Sequence, residues 1–158
     1  MFGITFFKKP QNYKQIDSVM SRSAQPNKSN IKWLKKHGVT DVISFCRANS
    51  ENSEEKTLVK AAGMQYHNIP TNPYNPSEEN VGEFLDLVDN IKNKGGKAHI
   101  HCQHGADRTG MYSWIYKHKN NIGGMNENEQ EMIDMGHDKF SIPGLIEWIK
   151  DFLHKVHK

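Results

Sequence analysis

Apolar positions along this chain follow two rhythms that alternate from one end to the other. Val81, Phe84, Leu85, Val88 and Ile91 recur three and four residues apart, which predicts an amphipathic helix over Ser77–Asn93, closed by the turn at Gly95-Gly96. Met111, Trp114, Ile115 and His118 give a helix that begins at Arg108 its inner face, and Leu145, Ile146, Ile149 and Phe152 do the same for Ile142–Val156, with a shorter helix over Asn126–Met135 between them. Short runs at Ser18–Arg22, Thr40–Cys46, Gln65–Ile69 and Lys97–His101 read as strands. Gly38 stops a helix over Lys28–His37, and Gly63 stops one that opens in the polar stretch Ala48–Ser53 and runs to Ala62. Pro70, Pro73 and Pro76 stiffen the loop before the Ser77 helix. Strand and helix in alternation imply an α/β fold: a central, mostly parallel sheet of four to five strands, flanked by helices on both faces, with ligands at the strands' C-terminal edge.

No repeat, linker or low-complexity tract divides the chain, so residues 1–158 read as one domain, in which residues 1–12 are an N-terminal extension, either an edge strand or flexible. Hydrophobic content of 35% is low but enough for a core at this length. A formal net charge of +3, from scattered lysines, favours acidic ligands and falls short of a nucleic-acid footprint. No apolar stretch nears the roughly twenty residues of a membrane helix, and Met1–Phe7 is too short for a secretory signal. The expectation is a cytoplasmic protein without membrane insertion. Its two cysteines, Cys46 and Cys102, make no disulfide scaffold.

The chemistry concentrates in Cys102–Gly110, CQHGADRTG, directly after the fourth predicted strand. A phosphate dianion repels nucleophiles, so its oxygens must be held by backbone N–H groups and a planar cation before a thiolate can approach phosphorus. Five residues between Cys102 and Arg108 let the main chain of Gln103, His104, Gly105, Ala106 and Asp107 curl around one phosphate. Gly105 permits backbone a side chain would block, and the helix from Arg108 aims its positive end into the loop. Arg108 supplies a bidentate fork. Thiols in such fields titrate at roughly 3.5 to 7.5, so Cys102 is expected to be a thiolate nucleophile. Thr109 stands next to Arg108, placed to donate its hydroxyl to the Cys102 sulfur.

His101-Cys102-x5-Arg108-Thr109-Gly110 resembles the signature loop of the cysteine-dependent protein tyrosine and dual-specificity phosphatases. Arg22-Ser23-Ala24-Gln25-Pro26, Gly38-Val39, Val42-Ile43-Ser44-Phe45-Cys46-Arg47 and Tyr66-His67-Asn68-Ile69-Pro70 follow the order of small, atypical bacterial and fungal-type members, a resemblance that spans roughly residues 13 to 155. It implies a phosphotyrosine-phosphatase-like fold, Cys102 as nucleophile, Gln103 to Arg108 as phosphate binder, Thr109 as thiolate partner and His101 as an orienting residue behind the loop. The implied activity is hydrolysis of phosphate monoesters through phosphocysteine, without metal or cofactor, on a phosphorylated protein or small phosphorylated molecule. Phosphotyrosine or mixed phosphoprotein specificity is the default.

One position departs from the pattern. Many members carry an aspartate acid about thirty residues before the cysteine, where this chain has Pro70-Thr71-Asn72-Pro73. Asp107, Glu78 and Glu79 are the candidate acids, against readings of Asp107 as a helix cap or loop brace and of the glutamates as first-turn helix acids. Alternatively the leaving group departs unaided, as an aryl oxide or a second phosphate would, which keeps inositol phosphates and pyrophosphates open. Phosphoinositide-cleaving members often place lysines in the loop; here Gln103 and Ala106 stand there. A phospho-ligand binding module without turnover is the competing non-enzyme reading, and a rhodanese-type sulfur transferase lacks this Arg-Thr-Gly ending. Cys46 is either a partner that traps oxidised Cys102 or a small buried strand residue. His104 is a substrate contact or a solvated histidine, Arg47 a loop brace, a substrate contact or a salt-bridge residue, and Tyr74 a wall of the pocket. Trp33, Trp114 and Trp148 fit core packing.

Overall fold

The structure, a computed structural model, describes residues 6–48 and 50–156. Five strands, β1 (Lys14–Gln15), β2 (Met20–Ser23), β3 (Asp41–Ser44), β4 (Gln65–Asn68) and β5 (Ala98–His101), form one sheet in the order β1-β2-β5-β3-β4. Only β1 runs antiparallel, as an edge strand on β2. Among the described residues there are six helices: α1 (Lys28–Lys36), α2 (Ser50–Ala61), α3 (Glu78–Asn93), α4 (Arg108–Lys119), α5 (Met125–Asp134) and α6 (Leu145–Val156). Among the described residues no helix is long and apolar enough to cross a membrane.

Pleat alternation sorts the core into two layers. Ile43 and Ile100 face a cluster with Phe84 of α3, Met111 and Ile115 of α4, Met132 of α5 and Ile149 of α6. Val42, on the other face, joins Ile31 and Leu34 of α1 and Val59 of α2. Of the tryptophans, Trp114 is 2% exposed in the core, whereas Trp33 and Trp148 are only partly buried against its margins.

The elements match the apolar rhythm, with strand ends shifted by local hydrogen bonding. β2 starts at Met20 rather than Ser18 because the Asp17 carboxylate accepts from both Val19 N and Met20 N at 2.8 Å, turning the chain first. β3 stops at Ser44, whose Oγ accepts from Cys46 N at 3.2 Å. α1 is set by a reciprocal capping box between Asn27 and Asn30, and α3 by Ser77 accepting from Asn80 N. What matters for function is register: Ser23 of β2 and Ser44 of β3 both pair with His101, so three parallel strands end side by side one residue before Cys102.

Candidate active site

Cys102 leaves the end of β5 and is 2% exposed. The loop after it presses on the end of β2: Gly105 has φ +73°, and a Cβ there would lie 2.5 Å from the Ser23 carbonyl carbon and oxygen. No other residue fits. Three successive carbonyls are drawn outward by donors from elsewhere. Gln25 N donates to Gln103 O at 3.1 Å, Asn12 Nδ2 to His104 O at 3.2 Å, and Arg22 Nη2 to Gly105 O at 2.7 Å. In a planar trans peptide the N–H points opposite to the C=O, so the amides of His104, Gly105 and Ala106 face inward. Three amides so aimed could together hold an anion. Asn12 also donates to Met135 O at 2.8 Å, clamping the loop to the end of α5.

Arg108 is the first residue of α4 and half-buried, with Nη1 donating to Phe45 O at 3.4 Å. The same carbonyl accepts from Thr71 N at 3.1 Å, and the Thr71 hydroxyl meets Tyr112 Oη at 2.7 Å, so the proline-rich loop is tied to α4 beside the arginine. Ala106 is buried under Gly136, whereas the Gln103 and His104 side chains are exposed. Tyr74 is 69% exposed, and Asn72 Oδ1 accepts from Tyr74 N at 3.0 Å.

The expected Thr109 bond is corrected here, and so is the helix-cap alternative for Asp107. Thr109 is fully buried and its hydroxyl has no hydrogen-bond partner among the described residues, so the bond to the Cys102 sulfur is not made; Thr109 begins the buried run Thr109–Lys117 of α4 and packs into the core. Asp107 holds the N-cap position of α4 but makes no cap bond; its Oδ1 lies 2.6 Å from His137 Nδ1 instead, with the carboxylate 27% exposed. Glu78 lies in the first turn of α3 and pairs with Lys155 at 3.0 Å, and Glu79 follows it, exposed.

Charge is arranged behind the loop. His101 is fully buried, with Nε2 2.9 Å from Glu55 Oε2 and Nδ1 3.4 Å from Cys102 O. Burial alone would push its pKa down, but the Cys46 thiol and the Glu55 carboxylate together push it up to about 10. The ring stands behind the loop, between the Glu55 carboxylate and the Cys102 carbonyl. Burial raises the Cys46 thiol, but His101, then Ser44 and Arg108, bring it below its ordinary value; both cysteines are free and buried. On the other side of β5, Arg22 Nη1 lies 3.9 Å from Glu131 Oε2. Glu131 also pairs with Lys14 and with Lys117, and against burial these lysines hold its carboxyl below its usual range.

Asn12, Glu55, Glu131 and His137 carry no signal in the sequence reading, because each belongs to an element distant in the chain. Arg22 does leave one: it shares the face of β2 with Met20, where a buried strand should place a hydrocarbon.

Residues 6–142 match the family described as DSP-PTPase phosphatase fused to NAD+ kinase. The chain is 34% identical over 88 residues to the mouse dual specificity protein phosphatase CDC14B, covering 54% of this chain and 16% of that protein. It is 24% identical over 106 residues to the dual specificity protein phosphatase TpbA of Pseudomonas aeruginosa, covering 67% of this chain and 46% of TpbA. The chain thus spans less than half the length of these curated relatives. A crystal structure of TpbA in complex with pTyr superposes with a TM-score of 0.75 at 19% identity, covering 92% of this chain and 89% of that one. A DUF442 protein from Shewanella putrefaciens CN-32 superposes with a TM-score of 0.76 at 25% identity, covering 92% of this chain and 90% of that one.

Proposed function

Because this chain belongs to the DSP-PTPase family of phosphatases, we propose that it hydrolyses phosphate monoesters by attack of the Cys102 sulfur on phosphorus. In the first step the S–P bond forms and the P–O bond to the leaving group breaks, with the developing charge on the phosphoryl oxygens met by the inward amides and the Arg108 fork. In the second, water attacks the phosphocysteine, the S–P bond breaks, and inorganic phosphate leaves. The observation that carries this reading is the outward pinning of the Gln103, His104 and Gly105 carbonyls above a buried cysteine.

Phosphotyrosine, or a mixed phosphoprotein specificity, is the substrate class we favour, in line with the pTyr bound by TpbA. A second reading draws on Asn72, which cannot protonate a leaving oxygen and whose side chain turns back on Tyr74 N. A leaving group that needs little help, whether a phenoxide or a second phosphate as in an inositol pyrophosphate, fits that loop. Asp107 is the acid we propose otherwise, held at the rim by His137.

Turnover of para-nitrophenyl phosphate tests both points. Cys102→Ser is expected to lose about four orders of magnitude or more in kcat; parental activity in that variant would refute the nucleophile. Asp107→Asn, assayed with phosphotyrosine and an alkyl phosphate, should lose about a hundredfold on the alkyl ester and flatten the alkaline limb of its pH profile. An unchanged profile excludes Asp107 as the acid. Tight phosphopeptide binding with negligible turnover of every ester would select a binding module instead.

A further inference from the structure

Arg22 is 1% exposed in the middle of β2, and among the described residues the carboxylate nearest it, Glu131, lies 3.9 Å from Nη1 and is already shared with two lysines. Its Nε is buried without a hydrogen-bond partner among the described residues. A guanidinium so sparsely compensated is expensive to bury, and a hydrocarbon on that face would pack against Met20 and Ile100 without the penalty. Its one short bond, 2.7 Å from Nη2 to Gly105 O, reaches the middle of the loop.

We propose that Arg22 is a positioning residue for the phosphatase reaction: it pins the Gly105 carbonyl outward, so that the Ala106 N–H faces the phosphate, and sets a permanent positive charge beneath the cup in addition to Arg108. The proposal rests on the reading of Cys102–Arg108 as a phosphate cup. Burial pushes the Arg22 pKa down while Glu131 and then Cys102 push it up, which places the sulfur within electrostatic reach of the guanidinium. A brace that served only to hold β2 against α5 would need no such link to the sulfur.

The test measures alkylation of Cys102 by iodoacetamide at pH 6 and pH 9, and inhibition of para-nitrophenyl phosphate turnover by inorganic phosphate, in Arg22→Met, Arg22→Lys and Glu131→Gln. In Arg22→Met, alkylation at pH 6 should slow about tenfold with little change at pH 9, and phosphate inhibition should weaken about tenfold. Arg22→Lys keeps the charge and loses the fork, so it should recover most of the pH 6 alkylation and less of the phosphate inhibition. Glu131→Gln should alkylate two- to threefold faster at pH 6, because Arg22 and the two lysines lose their countercharge. Folded Arg22→Met with parental alkylation and inhibition would overturn the proposal, as would a Glu131→Gln rate equal to the parent's should Arg22→Met not fold. Failure of the cup itself reads out separately in the parent protein, as Cys102 that alkylates no faster at pH 6 than a free thiol and is not protected by phosphate.

Discussion

Two buried ion pairs bracket Cys102, and they are built differently. Arg22 and Glu131 stand 3.9 Å apart, with a carboxylate that reaches solvent and two lysines; His101 and Glu55 stand 2.9 Å apart, at 0% and 4% exposure. The Arg22 charge is permanent, since a guanidinium keeps its proton in proteins. That of His101 is conditional. His99 shows the alternative, two residues back on the same face of β5: its ring nitrogens meet the hydroxyls of Ser21 and Ser23 at 2.7 Å each, and burial, then His101, drives its pKa well below the ordinary value. A hydroxyl can donate or accept and so accommodates a neutral ring, whereas a carboxylate accepts only. What separates the two imidazoles of this strand is therefore their partners: Cys46 and the Glu55 carboxylate raise the pKa of His101, and His99 has only hydroxyls.

The comparison breaks first at Glu55. Glu55→Gln leaves a buried imidazole with no carboxylate, and removing one member of a buried pair destabilises by about 3–5 kcal/mol; urea unfolding should show the midpoint fall accordingly, and a loss under about 1 kcal/mol would mean that the pair is no tighter than the one across β5. Glu131→Gln is the milder change. Its carboxylate is partly solvated and shared, so about 1–2 kcal/mol is expected, with the deficit shrinking as salt screens the three cations left behind. A salt-independent deficit of the Glu55 size would make the two pairs equivalent.

The cup and its supports differ in how far they can be read from the chain. Cys102, Gly105 and Arg108 are legible because the chemistry sits within one loop, and the sheet is legible because each strand and helix declares its own period. The hydrogen bond from Arg22 to Gly105 spans 83 residues, that between Glu55 and His101 spans 46, and that between Asp107 and His137 spans 30. Nothing local announces such pairs; β2, α2 and the turn after α5 meet β5 and the loop that follows it only in the folded chain. Thr109 shows the converse error, since adjacency to Arg108 suggested a bond to sulfur that its buried hydroxyl does not make.

The smallest expected effect is the most diagnostic of the conditional pair. The His101 pKa stands near 10 in the folded protein against 6.5 for an ordinary histidine, so the folded state holds a proton that the unfolded chain releases between those values. The stability this contributes is whole below about pH 6.5 and is lost as pH rises through 10. Cys46 works in the opposite sense: its thiol is held below 9.0 when folded, so its contribution is present above that value and lost as pH falls. The parent should therefore lose stability between pH 6.5 and 9, by less than the roughly 1.4 kcal/mol per pH unit that a single proton allows. Cys46→Ala removes the opposing group along with one of the contacts that hold up His101, and Glu55→Gln removes the stronger ion pair, so the deficit of Glu55→Gln relative to the parent should be widest at pH 6.5 and narrow toward pH 10. Urea midpoints for the three proteins at pH 6.5, 8 and 9.5 decide it. A Glu55→Gln deficit that stays constant across that range would mean that His101 is neutral in the folded protein, like His99, and that the charge behind the loop is Arg22's alone.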